Sequence, residues 1–241
     1  PGREEILLKI IKEVSGDMAV GGAVQTGFVI SWMARGGLDK MIVDMYRRPA
    51  FVRSLMAKYA DVCLEFARLM ISSGIDFLFL TDDYCDTHGP ILNHRLFMEF
   101  ELPYLKRILN LTKSKGVPVL KHTDGNVLPI LDELIEAGIR GLNPIEPECM
   151  DIGQVKQVYG DRISLMGNVD CKWVLPYGTE EDVRRDVRRV IDAAGEGGGL
   201  VLSSSNTLHP YVNAENVYTM VDEARRYGKY PLKRAEQRQS C

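Results

Sequence analysis

Apolar runs along this chain repeatedly finish on polar residues. "IDFLFLTDD", "VPVLKHTD", "RGLNPIEP", "ISLMGNVD" and "GLVLSSSN" all open hydrophobic and close on carboxylates, amides, hydroxyls or imidazole. "MAVGGAV", near residue 20, is a weaker sixth run of the same kind. Short runs buried on both faces are the signature of parallel strands in an α/β sheet. The segments between them carry helical periodicity. Pro49 opens one, and Val52, Leu55, Met56, Tyr59, Cys63, Phe66, Ala67 and Met70 keep three–four spacing until Gly74. A second runs from about Asn93 to Lys115, and Pro103 inside it predicts a kink or break. "LPILDELIEAG" and "MDIGQVKQVYG" each finish on glycine, predicting a left-handed stop. Thr179 is the expected N-cap of the helix that begins Glu180, Glu181, Asp182. The last helix is expected from about Asn213 to Tyr227.

Strand alternating with helix over the whole length predicts parallel strands with right-handed crossovers. No GxGxxG follows the first strand and no GxxxxGK[ST] occurs, which argues against nucleotide-binding folds. A (β/α)8 TIM barrel is the expected class, with its chemistry at the carboxyl ends of the strands. About six strands are legible where the closed barrel has eight, and the chain opens on a helix from about Arg3 to Val14. The reading is therefore one barrel domain over 1–241 that lacks its first two βα units.

Composition narrows the partners. The chain has 241 residues, 45% hydrophobic and 26% charged, with a formal net charge of −3. That suits a globular core and disfavours nucleic acid. The densest basic run, Arg184 to Arg189, follows an acidic turn and reads as a solvated helix face. No run reaches the ~18–20 apolar residues of a membrane span. Five dispersed cysteines without CxxC point to a reducing compartment, so the expected location is cytoplasmic. An exposed strand edge would favour self-association, and a homodimer is the expected form.

The polar tails supply the candidate chemistry. They are Asp82, Asp83 and Tyr84; His122, Asp124 and Asn126; Asn143 and Glu146; Asn168 and Asp170; and Ser203 to Asn206 with His209. Cys85, Cys149 and Cys171 each follow a strand. His122 and Asp124 are two apart, so on an extended strand end both point the same way. They could share a metal, or the carboxylate could orient the imidazole. The alternative is that Asp124 caps a helix starting at once, with Gly125 making the turn. Asp83 and Asp82 end the most hydrophobic strand, where a carboxylate holds a donor or works as acid or base. Gly167 would allow backbone beside Asn168 and Asp170 to approach a ligand closely.

Several stretches resemble the uroporphyrinogen decarboxylase superfamily. They are "LPYLKRIL" with "GVPVLKHTDGN", then "LIEAGIRGLNPIEP", "MDIGQVKQVYGDRISLMGNVD" and "ENVYTMVDEARRYGKYP". The ordered set runs from about residue 50 to 231. The resemblance implies a (β/α)8 barrel with a deep cleft at the strand carboxyl ends. It implies one of two chemistries. One branch decarboxylates the acetate arms of a porphyrinogen without a cofactor, as a lyase of porphyrin biosynthesis. The other transfers methyl groups to or from a corrinoid protein, using zinc held by His-x-Cys and a later cysteine. Here His122 matches, whereas Asp124 stands in the cysteine position and "SSSNTLHP" stands where the later cysteine would be. A harder zinc or other divalent site of His122, Asp124 and Glu146 is what remains. The leading expectation is a methyltransferase-like enzyme acting on a tetrapyrrole-linked or methylated small substrate. His122, Asp124 and Asp83 would be catalytic. Asp82, Tyr84, Asn126, Asn168, Asp170, Ser205 and His209 would bind substrate. A decarboxylase is the second reading and a non-catalytic binding barrel the third.

Overall fold

The computed structural model describes residues 3–14 and 16–232. The chain divides into two compact units. One takes the residues up to Thr123 together with Val127–Arg140; the other takes Asp124–Asn126 with the chain from Gly141 onward. Among the described residues no helix is long and apolar enough to cross a membrane.

The first unit runs α1 (Arg3–Val14), β1 (Gly21–Val24), α2 (Phe28–Arg35), α3 (Leu38–Arg47), α4 (Pro49–Ser72) and β2 (Phe77–Leu80). A two-residue hairpin follows, β3 (Cys85–Asp86) with β4 (Gly89–Pro90). Then come α5 (His94–Leu96), α6 (Leu102–Lys115), β5 (Val119–His122) and α7 (Leu131–Ala137). β1 pairs parallel with β2, setting Val24 opposite Leu80; β2 pairs parallel with β5, setting Leu80 opposite Lys121. The alternation of strand side chains buries one set on each: Gly22 and Val24, Leu78 and Leu80, Val119 and Lys121. Of the predicted stripe of α4, Val52, Met56, Cys63 and Ala67 are buried and are joined by Ala60 and Leu64, whereas Phe66 is exposed; the helix packs on β1 and α6. Burial of a valine or methionine side chain such as Val52 or Met56 contributes about 1.5–3 kcal/mol. Gly27 (φ +116°) leads into α2; a Cβ there would stand 2.9 Å from the main-chain nitrogen of Ala60, so only glycine lets this turn touch α4.

Pro103 breaks its helix as anticipated, and the break has a definite form. α5 passes into a π-helical turn, Phe97–Glu101, before α6 restarts with Pro103 in its first turn. The wider turn leaves space for a ring that cannot donate a hydrogen bond. It also turns Glu101 fully inward.

The second unit runs β6 (Gly141–Asn143), α8 (Ile152–Tyr159), β7 (Ser164–Val169), α9 (Val174–Tyr177), α10 (Glu180–Ala194), β8 (Leu200–Ser204) and α11 (Ala214–Tyr227). β6 pairs parallel with β7, and β7 with β8 from Leu165–Leu200 to Val169–Ser204. α10 lays Val183, Val187, Val190, Ile191 and Ala194 inward and packs on β7, β8, α8 and α11. Thr179 caps it reciprocally with Asp182. Glu223 of α11 is buried and takes Arg188 at 2.7 Å, Arg226 at 2.6 Å and Arg184 at 3.4 Å.

Two local expectations change. Gly138 stops α7 at φ +122°, but Gly160 after α8 sits at φ −62°, an ordinary right-handed value, so that helix ends without a left-handed residue. The helix expected directly after Gly125 does not start there. Gly125 makes a turn at φ +81°, and the next helical residues are a 3-10 turn, Leu128–Ile130, with no side-chain cap. Asp124 is therefore not a helix cap.

Candidate active site

In the first unit the polar residues sit at the carboxyl ends of β1, β2 and β5, because parallel pairing brings those ends to one side. His122 Nε2 lies 3.6 Å from Asp83 Oδ1. The imidazole also packs on Phe79, ring centroids 5.8 Å apart, which restricts its orientation. Both side chains keep partial exposure, 21% for His122 and 45% for Asp83. A carboxylate beside an imidazole holds the ring in one orientation and tautomer.

Asp82 and Tyr84, expected to meet substrate, instead turn into the core. Asp82 accepts from the main-chain N–H of Thr26 and Val29 and from Thr26 Oγ1. It ties the end of β2 to the start of α2. Tyr84 is buried, and its hydroxyl donates to Glu101 Oε1. Its main-chain N–H donates to Thr123 Oγ1 at 2.8 Å. Burial drives the Tyr84 phenol well above its ordinary value, with the charges of Glu101 and Asp82 adding to the effect. These are bracing roles, and the alternation of the strand explains them: Asp82 and Tyr84 share the inward face with Leu80, while Asp83 takes the other.

Lys121 and Glu101 are the residues that sequence reasoning passed over. Lys121 is fully buried. Its ammonium donates to the main-chain carbonyls of Asp82 and His122, the latter at 2.5 Å, and stands 3.8 Å from the Tyr84 ring centre. Burial lowers its pKa to about 8, against the opposing pull of Asp82 and Glu101. Burial raises Glu101 to about 8, with the Asp82 charge adding to it. The available signal was parity: Lys121 is two residues from Val119, in the buried phase of β5.

In the second unit Asn206 Nδ2 donates to Asp124 Oδ1 and to Glu146 Oε1, both at 3.0 Å. Glu146 Oε2 accepts the Gly125 N–H at 2.7 Å and faces Cys149 Sγ at 3.7 Å. Asp124, Asn126 and Glu146 are half-buried. Asp124, Glu146 and Asn206 form a compact polar group able to receive a cation or a donor-rich ligand.

Asn168, Asp170, Ser205 and His209 take other places. Asn168 is fully buried; its amide donates to Ile145 O at 2.5 Å and its oxygen accepts from Arg189 at 3.0 and 3.1 Å. The close approach at Gly167 is to the Ile145 backbone, not to an open cleft. Asp170 Oδ1 accepts the N–H groups of Lys172 and Trp173 at 2.7 and 2.9 Å, starting the next turn. Ser205 is buried against Cys171, and His209 Nε2 meets Cys171 O at 3.1 Å. For these four the sequence correctly marks the strand ends, but their polar atoms fasten loops. Asn143 is buried beside the Met166 carbonyl.

Among the described residues the thiols do not make a soft metal centre. Burial pushes the Cys85 thiol up to about 12. Cys149 Sγ is turned toward the Glu146 carboxylate. The donor set that remains is imidazole and carboxylate, suited to a harder divalent ion.

Comparison with known proteins decides the family. The uroporphyrinogen decarboxylase (URO-D) family model matches residues 5–227. The chain belongs to the uroporphyrinogen decarboxylase family. It is 29% identical over 224 residues to a uroporphyrinogen decarboxylase of Methylococcus capsulatus, covering 89% of this chain and 61% of that one. It is 26% identical over 231 residues to that of Shewanella piezotolerans, covering 92% and 63%. The chain thus spans about three fifths of the length of these relatives. Among solved structures, a methyltransferase from Methanosarcina mazei superposes with a TM-score of 0.76 at 19% identity, covering 94% of this chain and 64% of that one. At that identity the likeness is one of fold. The fold class is that expected, the α/β TIM barrel of this family, with parallel strands alternating with helices.

Proposed function

We propose that this URO-D family chain is part of a cytoplasmic enzyme of the methyltransferase-like kind. It would transfer a methyl group between a neutral or cationic small substrate and a corrinoid-type acceptor. The observation that carries this reading is the run of carboxylates at the strand ends of both units, one of them beside the imidazole. Asp83 stands beside His122 in the first unit, and Asp124 and Glu146 are joined by Asn206 in the second. A substrate bearing several acetate arms would meet like charge here, which costs binding energy. A divalent metal or a cationic methylated group would meet opposite charge. In the first unit Asp83 and His122, and in the second Asp124 and Glu146, are the candidate metal donors. Such an ion would act as a Lewis acid on the leaving or attacking atom. His122 and Asp83 would orient that atom and hold its proton.

The test uses the full-length protein. Metal analysis should find a stoichiometric divalent ion that is lost in His122→Ala. Methyl transfer from methylated amines, thiols or alcohols to a free corrinoid should fall with it. Decarboxylation of uroporphyrinogen by metal-free protein would overturn the reading and favour the activity after which the family is named. A His122→Ala protein unchanged in both metal content and turnover would favour a binding barrel without chemistry.

A further inference from the structure

The buried cluster of the first unit contains more short oxygen–oxygen contacts than it has hydroxyl protons. Thr26 Oγ1 lies 3.0 Å from Asp82 Oδ2 and 2.6 Å from Glu101 Oε1. Tyr84 OH lies 2.5 Å from the same Glu101 oxygen and 3.3 Å from Thr26 Oγ1. Three of these contacts are at hydrogen-bond length for a good O–H···O bond, and each needs a proton between its oxygens. Thr26 and Tyr84 bring one proton each. If both carboxyls were ionised, one pair of bare oxygens would face each other at short range. A third proton removes the conflict, and its position is set by the partners. Asp82 already accepts two N–H groups and the Thr26 hydroxyl on its two oxygens, the environment of an ionised carboxylate. Glu101 accepts on Oε1 alone, and its Oε2 is buried with no hydrogen-bond partner. A naked oxygen costs far less on a neutral acid than on an anion.

We propose that Glu101 is built into the core as the neutral acid, donating from Oε1 to Thr26 while Tyr84 donates to it, and that this one proton locks the ends of β1, β2 and β5 together. Charge balance agrees: neutral Glu101 leaves one anion, Asp82, against one cation, Lys121, all of them fully buried. The groups facing Glu101 are Asp82 and Tyr84 after β2, Lys121 on β5, Cys63 on α4 and Tyr104 on α6. Burial and the Asp82 charge both act to keep the proton on. Glu101 is a positioning residue, because the lock runs through Thr26, Asp82 and Lys121 to the carbonyls of Asp82 and His122. The inference stands on the first unit alone and does not depend on the proposed reaction.

Infrared difference spectroscopy of the full-length protein with carbon-13-labelled glutamate tests it. At neutral pH the folded protein should show the carbonyl stretch of a protonated, isotope-shifted glutamic acid. The band should fade as pH rises through about 8, and it should be missing from Glu101→Gln. Absence of an isotope-shifted band at neutral pH would overturn the proposal. So would its persistence in Glu101→Gln, or an unlabelled acid band removed by Asp82→Asn, which would put the proton on Asp82. The wild-type labelled spectrum decides the matter even if Glu101→Gln fails to fold.

Discussion

His122 Nε2 stands 3.6 Å from Asp83 Oδ1, with Phe79 against the imidazole ring. That arrangement presents Nε2 to the carboxylate, which can orient the ring toward a metal or substrate. Removing the orienting carboxylate of a metal-bound histidine typically costs about 10–100-fold in affinity or activity. Asp83→Asn, which removes both this orientation and a candidate donor, should therefore lower divalent metal affinity and turnover by at least about that factor. His122→Ala should lower both at least as far. Isothermal titration with the metal and a methyl-transfer assay read the two quantities separately. Equal metal affinity in wild type and Asp83→Asn would show that the pair serves the fold alone.

Lys121 reaches two carbonyls that nothing apolar could satisfy. Lys121→Met keeps the length of the side chain but removes the donor and the buried cation that balances Asp82 in this cluster. Breaking a fully buried charge pair from one side costs about 3–5 kcal/mol. Urea unfolding should show a loss of that order for Lys121→Met. The double variant Lys121→Met with Asp82→Asn should recover part of it, since no uncompensated anion remains. A loss below about 1 kcal/mol would show that the cluster is not electrostatically coupled.

Glu101 gives the first unit an unusual dependence on pH. Its folded value is raised to about 8 from an ordinary 4.5, through burial and the Asp82 charge. Between those values the folded state binds a proton that the unfolded chain has released. Stability must then fall as pH rises through this window, the reverse of the usual carboxylate. The urea midpoint of Glu101→Gln should lack that falling limb. Parallel midpoints for the two proteins across the window would contradict the assignment.

Glu223 behaves the opposite way and provides a control in the second unit. Burial acts to raise its value, but the hydrogen bonds from Arg188 and Arg226 outweigh it, and the net shift is downward. Its stabilisation is present above the ordinary carboxylate value of 4.5 and is lost as pH falls below it. Glu223→Ala should destabilise the protein by about 1.5–3 kcal/mol at neutral pH, the range for hydrogen bonds to charged groups. The difference from wild type should shrink in acid. Urea titrations at neutral and acid pH check both statements.

The sequence was read correctly where one signal acts alone. Apolar runs with polar ends marked all six parallel strands, Pro103 marked the broken helix, and Thr179 marked a cap. It was harder to read where two signals share one position. Strand ends are also loop starts, so Asp170 and Asn168 looked like site residues although their atoms are taken by the following turn and by Arg189. Strand parity separated Asp83 from Asp82 and Tyr84, yet "TDDYC" gives no hint which phase faces in until Leu78 and Leu80 are known to be buried. Lys121 and Glu101 were missed because a buried ionisable group is intelligible only through partners far along the chain, here Asp82, Thr26 and Tyr84.

Asn206 is the neutral link between two acids, and its neutrality is the point to test. Its amide nitrogen donates to Asp124 Oδ1 and Glu146 Oε1 at 3.0 Å each, holding two carboxylates close. Asn206→Asp puts a third carboxylate in contact with both and removes the two donors. Like charges at this range each raise the other's pKa, so at neutral pH the cluster would either take up a proton or lose stability. A divalent ion would relieve the repulsion. Thermal unfolding of Asn206→Asp should therefore begin several degrees lower than wild type in chelator, a shift corresponding to about 1–2 kcal/mol. Added Mg2+ or Mn2+ should restore most of it. Asn206→Leu, which removes the donors without adding charge, should be destabilised in chelator and respond less to the metal. If Asn206→Asp is unaffected by chelator and by metal alike, then Asp124 and Glu146 are too well solvated to act as a cation-binding pair, and the metal reading of the second unit loses its support.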